Sequence, residues 1–501
     1  MNAMTQKRFF ALPQPGEGDN HADLDRLMAA LRPEFGQVRI AYPVLRRDID
    51  VIRQSEYRVT ATLSFEDGGW NLVRIQPGDT SGQHFGLACD LGSTTVAVQL
   101  VDLSAGQVVA TRTAVNAQTS LGADILTRIF YAHEPGQQAP RRAELQRRTV
   151  ETIDGLIAQL LSDSGVRAED CPLLVVAGNT TMIHFLLGVD AFCVFSAPFA
   201  PEFNRAPVLD APELGFAYTG RVYCFPSAAN YLGGDILSGM WSVDLMGDDE
   251  LSMFVDIGTN GEMAIGCRDF LIAGAGAAGP ALEGGISKNG MRAAPGAVDR
   301  VRIESGELRY TTIGDQPALG ICGSGIVDLL AQMRRNDWMN CYGYLVEGAS
   351  PRIREVESDE KRELAVIYAE ADQSGSGEPL AFTQTDIFQF LDTKAAARTM
   401  IACLLEAAGV DPSEVRRIYL AGAFGEHLDL ESSIAIGLYP NLPRDRFVSV
   451  GNASLAGARK LLMDRSGLAV VDRLLESLYY LEFAMQPNFL DLMASSRIME
   501  G

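Results

Sequence analysis

Runs of lysine and arginine, apolar stretches of membrane length and clustered cysteines or histidines are all missing from this chain of 501 residues. A bilayer-spanning helix needs about 20 consecutive apolar residues, and none occurs. Met1 to Asn20 has polar, proline and glycine residues where a secretory signal would have an apolar core. That segment reads as a mobile or loosely attached tail on a cytoplasmic protein. Basic residues are outnumbered, 42 against 64 acidic, for a net charge of −22. Such a surface repels phosphate backbones, which excludes general binding to nucleic acid or anionic membranes. The eight cysteines, Cys89, Cys171, Cys193, Cys224, Cys267, Cys322, Cys341 and Cys403, form no Cys-x-x-Cys pair. Neither ferredoxin-type cluster spacing nor a structural zinc motif is present, and scattered thiols suit a reducing cytosol. The five histidines are equally dispersed, against a histidine-based metal site. No nucleophile elbow and no Walker P-loop can be found.

What is present is an ordinary globular balance, 47% hydrophobic and 21% charged, in a chain long enough for two or three cores. After the tail at 1–20, residues 21–82 suggest a small α+β domain. Asp23 to Leu31 predicts a short helix. Arg58 to Phe65 alternates, with Val59, Ala61, Leu63 and Phe65 on one face, then turns at Glu66-Asp67-Gly68-Gly69 into a second strand, a β-hairpin. From residue 83 strands and helices alternate, which points to α/β layers. The expected division is a first lobe at 83–250 and a second at 251–501, with a charged surface insertion near 344–380.

Two segments share one template. Leu87-Ala88-Cys89-Asp90-Leu91-Gly92-Ser93-Thr94-Thr95 and Met253-Phe254-Val255-Asp256-Ile257-Gly258-Thr259-Asn260-Gly261 each run from an apolar strand into Asp-aliphatic-Gly-hydroxyl. A second apolar strand follows each turn. The glycine lets backbone approach a phosphate, successive N–H groups and hydroxyls cradle its oxygens, and the aspartate faces the cation. One such turn means little, because Asp and Gly are default turn residues. Two copies in separate half-chains match what a two-lobed nucleotide clamp requires. A third piece, Leu420-Ala421-Gly422-Ala423-Phe424-Gly425, ends a buried strand in two glycines against which a flat ligand could lie; Phe424 either flanks an adenine or is core.

Three more segments are candidates. Gly274 to Gly285 is a glycine-rich loop, hinge or substrate loop, with Glu283 its only charge; Glu283 has a competing reading as a solvated loop carboxylate. Gly320 to Gly325 precedes a helix, so the N–H groups of Gly323 and Ser324 could serve a phosphate or only fix a helix crossing. Asn179-Thr180-Thr181 begins a helix, and Asn179 has a competing reading as a simple N-cap. Without a nucleophile, the expected chemistry is electrostatic: carboxylates hold Mg²⁺, partly through water, amides hold phosphates, and a carboxylate positions water.

On these residues the chain resembles the acetate/sugar-kinase, heat-shock and actin superfamily. Asp90 to Thr95 matches its first phosphate motif, Asp256 to Gly261 the second and Leu420 to Gly425 the adenosine motif. Within it the chain is similar to ATP-dependent reductive activators of corrinoid proteins. The resemblance runs from about Arg58 to Phe489. It is most specific at Gly178 to Met182, Asp256 to Glu262, Ala278 to Gly284, Gly320 to Ile326 and Val450 to Ala458. It implies two actin-like (ribonuclease-H-like) lobes around a central nucleotide cleft, with ATP and Mg²⁺ as cofactors. Asp90, Asp256 and Glu283 would be catalytic, the two aspartates also facing the metal. Gly92, Ser93, Thr94, Thr95, Asn179, Thr180, Gly258, Thr259, Asn260, Gly261, Glu262, Gly279, Gly323, Ser324, Gly422, Ala423, Phe424 and Gly425 would hold the nucleotide.

Such activators use ATP to drive uphill reduction of cob(II)alamin to cob(I)alamin on a methyl-carrying partner. Their electrons normally pass through an iron–sulfur domain. Here no cysteine precedes Arg58 and the last is Cys403, so no iron–sulfur cluster is expected and a separate ferredoxin-like protein would supply the electron. The implied partner is a corrinoid protein, and a homodimer stays open. Two readings compete with this ATPase. A small-molecule kinase would place its substrate near Glu283, and a nucleotide-dependent binding protein would bind ATP without turnover. Cluster-bearing activators of acyl-CoA dehydratases would need Cys171 or Cys193 as ligands, and neither sits in a matching motif.

Overall fold

Two duplicated sheets dominate the computed structural model, which describes residues 2–258, 260–277, 279, 285–358 and 361–499. The chain falls into two compact units, Met1–Val243 with Ala453–Glu476, and Asp244–Asn452 with Ser477–Gly501. The second unit begins at Asp244, and Ala453–Glu476 belongs with the first.

The first unit opens with a four-stranded sheet of β1 (Thr5–Ala11), β2 (Val38–Ile40), β3 (Arg58–Glu66) and β4 (Gly69–Pro77), in the order β1-β3-β4-β2. The predicted β3–β4 hairpin is there. The predicted helix runs four residues further, Asp23–Phe35, and buries Leu27, Leu31 and Phe35 against Val59, Ala61 and Leu63. The expected tail is corrected: Thr5–Ala11 pairs antiparallel with β3 along its whole length, and Ala3 and Met4 are buried. The second face of this sheet is polar yet covered. Thr5, Lys7, Thr60, Thr62, Ser64 and Gln76 are all buried, and this buried polar set continues into Asp170, which takes hydrogen bonds from Lys7 Nζ at 2.8 Å and Gln76 Nε2 at 3.0 Å. Arg221 clasps Glu66 through two bonds of 2.9 and 2.7 Å. Buried polar groups persist where they find partners.

The larger sheet of this unit comprises β5 (Phe85–Leu91), β6 (Thr95–Asp102), β7 (Gln107–Val115), β8 (Leu173–Gly178), β9 (Leu209–Asp210) and β10 (Arg221–Cys224), ordered β7-β6-β5-β8-β10-β9. An antiparallel meander β5-β6-β7 is thus continued by parallel β8 and β10. Strand period two puts Leu87, Cys89 and Leu91 into the core that Leu145, Ile153 and Leu160 of the Gln138–Ser164 helix complete. The small residues Gly86 and Ala88 alternate with them, and Gly86 lies within contact of Leu462 on the Ala453–Met463 helix.

The second unit repeats the plan with β11 (Ser252–Ile257), β12 (Asn260–Cys267), β13 (Phe270–Ala277), β14 (Ala297–Glu304), β15 (Glu307–Thr312), β16 (Gly320–Ile321), β17 (Ile353–Ser358), β18 (Lys361–Ala369), β19 (Leu380–Thr383), β20 (Arg417–Ala421), β21 (Phe447–Gly451) and β22 (Leu478–Tyr480). Its main sheet is ordered β21-β20-β11-β12-β13-β22: again a meander, β11-β12-β13, continued by parallel strands, β20 and β21. Each unit is therefore a ribonuclease-H-like lobe. The start of the expected loop Gly274 to Gly285 is strand instead, because Gly274 and Gly276 lie in β13, opposite Met263 and Gly261. The charged stretch near 344–380 is no mere surface insertion. It builds a β17-β18-β19 sheet whose Val366, Tyr368 and Leu380 enter the core of the lobe.

Candidate functional site

In the first unit Asp90 stands at the end of β5, opposite Ala97 of β6 and beside Ala177 of parallel β8. The hairpin turn that follows is built for tightness. A Cβ on Gly92 would lie 2.4 Å from the Thr95 carbonyl oxygen, so only glycine fits. Three protein donors hold the turn from its carbonyl side. Asn116 Nδ2 donates to Gly92 O at 3.0 Å, Arg128 Nη1 to Ser93 O at 2.6 Å, and the Asn116 amide to Thr94 O at 2.8 Å. With those carbonyls satisfied, a ligand at this turn would meet its N–H groups and hydroxyls.

Neighbouring strand ends add to the place. Asn179 follows β8 and caps the Thr180–Leu187 helix, its side chain accepting from Met182 N at 2.9 Å. Thr180 Oγ1 donates to Ala229 O at 2.8 Å. Gly233 packs so closely on this helix start that a Cβ would be 2.4 Å from Asn179 Cα. Ser454 Oγ, at the start of the Ala453–Met463 helix, donates to Asp90 Oδ1 at 2.8 Å.

The second unit has the same arrangement at β11. Asp256 pairs across with Glu262 on β12 and alongside Ala421 on β20. The Gly258 amide donates to Asn260 O at 2.7 Å, closing the turn. β20 then breaks at Gly422, whose φ of 75° is left-handed. A Cβ there would sit 2.8 Å from Asp256 Oδ1, and one on Gly425 would sit 2.4 Å from Leu420 O. The glycine pair thus lets the strand end and the following helix, Gly422–His427, approach the carboxylate. Tyr439 is buried in this region; burial, and then the Asp256 charge, raises its phenol well above the ordinary value.

Gly323 and Ser324 open the Gly323–Arg335 helix, as expected, and its N-cap Cys322 contributes no side-chain cap. Cys322 Sγ lies 3.3 Å from Val298 O, and a Cβ on Gly325 would be 2.2 Å from the same oxygen. This glycine loop therefore fixes a close helix–strand approach, whatever else it does. Gly261 lies on β12 against Met400, and Gly279 has a left-handed φ of 95°. Thr259 and Glu283 lie outside the described residues, as do the side chains of Ala423 and Phe424.

Asp90, Gly92, Ser93, Thr94, Thr95, Asn179 and Thr180 are thus gathered in one unit; Asp256, Gly258, Asn260, Gly261, Glu262, Gly422 and Gly425 in the other. Sequence reasoning missed Asn116, Arg128 and Gly233. It singled out Val450 to Ala458 without seeing that Ser454 bonds Asp90. Carboxylate oxygens flanked by hydroxyl-bearing turns form a donor set that suits a hard cation such as Mg²⁺, which keeps part of its water. Among the described residues no group of three or more histidine, cysteine, aspartate or glutamate side chains forms a metal cluster, and no helix is long and apolar enough to cross a membrane.

Comparison with known proteins matches three successive regions of the chain. Residues 250–500 match a family described as the C-terminal domain of RACo, the ASKHA domain; residues 85–248 match the RACo middle region and residues 1–82 the RACo linker region. The chain is 30% identical over 414 residues to the corrinoid activation enzyme RamQ of Eubacterium limosum, spanning 81% of this chain and 69% of that protein. It is 24% identical over 421 residues to a Co(II) methylated amine-specific corrinoid protein reductase of Methanosarcina barkeri, 77% and 71% respectively. A solved structure of a reductive activator for corrinoid, iron-sulfur protein superposes with a TM-score of 0.87 at 36% identity, covering 99% of this chain and 79% of that one.

Proposed function

The chain belongs to the RACo family of corrinoid reductive activators, and on that premise we propose that it couples Mg-ATP hydrolysis to reduction of cob(II)alamin on a corrinoid partner. One electron, delivered by a separate ferredoxin-like protein, would convert cob(II)alamin to cob(I)alamin, while ATP and water give ADP and phosphate. The duplicated strand–Asp–turn, Asp90 in one lobe and Asp256 in the other, is the observation that carries this reading. Asp90 and Asp256 would hold Mg²⁺ through its waters, Gly92 to Thr95 and Gly258 to Gly261 would cradle phosphates, and the Gly422 to Gly425 turn would lie against the adenosine. Glu283 would position water. ATP would do such work by favouring one conformation of the pair over another, and through it the reduced cobalt state. Cytoplasmic localisation belongs to the same reading.

An ATPase assay with candidate corrinoid proteins and a low-potential reductant tests it, with cobalt followed by visible spectroscopy. Turnover stimulated by the corrinoid protein, with cob(I)alamin formed and no phosphorylated metabolite, is the expected result. One phosphorylated small molecule per ATP would replace it with a kinase, and nucleotide binding without turnover would leave a binding protein.

A further inference from the structure

Arg128 lies on a short helix, Ile125–Ala132, and its side chain is completely buried. Arginine is seldom buried unless its charge is matched. Here the guanidinium spends its donors on neutral acceptors: Nε on Gly122 O at 2.8 Å, and Nη1 on Ser93 O at 2.6 Å, Gln118 Oε1 at 3.3 Å and Met182 Sδ at 4.0 Å. Nη2 has no partner among the described residues. The nearest carboxylate by sequence, Asp124, is committed to capping the same helix, through Thr127 N at 2.8 Å and Thr127 Oγ1 at 2.9 Å. Burial, opposed only by Asp124, pulls the guanidinium below the ordinary arginine value. A neutral amide could hold two carbonyls without the cost of taking a cation out of water. The full charge is what needs explaining, and the element it grips is the Gly92–Thr95 turn.

We propose that Arg128 is a positioning residue of the first phosphate turn, whose buried charge, acting through Ser93, favours polyanionic ligands at that turn. Among the described residues no carboxylate hydrogen-bonds the guanidinium, and a nucleotide's phosphates at the turn would add the opposite charge. The inference rests on the proposed nucleotide site.

Calorimetry on the full chain tests it with Mg-ATP, Mg-ADP and adenosine, comparing wild type with R128Q and R128K. R128Q should weaken Mg-ATP roughly ten- to a hundredfold, the range expected for losing an interaction with a charged group. The loss should be smaller for Mg-ADP and absent for adenosine. R128K, which keeps the charge without the fork, should bind Mg-ATP within about fivefold of wild type. Equal losses for all three ligands, or an R128K as poor as R128Q, would reduce Arg128 to a clamp of turn shape and overturn the proposal. Should thermal melts show R128Q unfolded, R128K alone decides, on the same fivefold threshold. No heat from wild type with Mg-ATP would instead remove the nucleotide reading itself, before any variant is informative.

Discussion

Gly422 bears on the proposed site through the atom it lacks. Its left-handed φ of 75° and the 2.8 Å between a hypothetical Cβ and Asp256 Oδ1 act on different properties. Alanine in that conformation costs about 1 kcal/mol or somewhat more, a modest shift in a urea melt. The Cβ also pushes a carboxylate aside, and displacing a reacting group by an ångström can cost about a hundredfold in rate. Gly422→Ala is therefore expected to lose at least about tenfold in ATP turnover while remaining folded; turnover near wild type would remove Asp256 from the proposed metal site. Ser454→Ala makes a milder case. Losing its 2.8 Å bond to Asp90 should lower turnover roughly three- to tenfold, the net worth of one ordinary solvent-accessible hydrogen bond, with circular dichroism unchanged. The two aspartates and their glycines were legible because each motif carries its own punctuation within nine residues. Ser454 was not, since 364 residues separate it from its partner. Arg128 was hidden for another reason: a charged residue on a short helix is ordinarily a solvated one.

At the scale of elements, the helix Ala453–Met463 is pressed onto the helix Gly234–Ser242, and a Cβ on Gly457 would fall 1.9 Å from the Ser238 carbonyl oxygen. Backbone cannot yield as a side-chain tip does. Gly457→Ala should destabilise by about 3 kcal/mol, the upper end of ordinary over-packing costs, and because Ser238 Oγ also bonds Ser454 O at 2.7 Å, nucleotide affinity should fall with it. Equilibrium urea unfolding of the variant measures the first and calorimetry the second. The N-terminal sheet makes a different prediction. His84 lies buried with Nε2 2.8 Å from Thr5 Oγ1, and burial, helped by Lys7 and Arg8 and opposed by Asp102 and Asp170, holds its pKa at about 4. It is neutral in the fold and binds a proton more readily when unfolded, so its contribution is intact above about pH 6.5 and drains away as pH falls towards 4. The difference amounts to about 3 kcal/mol. Asp170, held below the ordinary carboxylate value by Arg167, Lys7 and Gln76 against the opposing effect of burial, acts in the same direction at lower pH. His84→Asn should flatten the stability profile between pH 6.5 and 4 in chemical unfolding; an unchanged slope would show that His84 does not drive it. The hairpins and the α/β alternation were visible from sequence period alone. β1 was not, because Thr-Gln-Lys-Arg-Phe-Phe-Ala alternates poorly and its pairing partner begins more than 45 residues later. Its hydroxyl and charged side chains gain their meaning only from Asp170.

The two six-stranded sheets repeat one plan, and the proposed function asks both copies of the strand–Asp–turn to act on one ligand. The shared topology, β7-β6-β5-β8-β10 in one lobe and β13-β12-β11-β20-β21 in the other, was foreshadowed by the two nine-residue templates, although the return of Ala453–Glu476 to the first unit was not, since no local signal marks which lobe a helix will join. Function at this scale has a quantitative signature. If Asp90 and Asp256 serve one magnesium nucleotide, each alone should be needed for turnover, and Asp90→Asn and Asp256→Asn should each abolish most of it. The double variant should then be scarcely worse than either single one, because groups that act as a unit are strongly non-additive. Two independent sites would behave otherwise: each single variant would retain the other site's activity, and the double variant would lose the sum of the two. Single-turnover ATP hydrolysis of the four proteins, with Mn²⁺ in place of Mg²⁺ as a second arm, separates the cases. Rescue by the alternative metal in a single variant but not in the double one would tie both carboxylates to the same ion, and additive losses without rescue would assign the two turns to separate tasks.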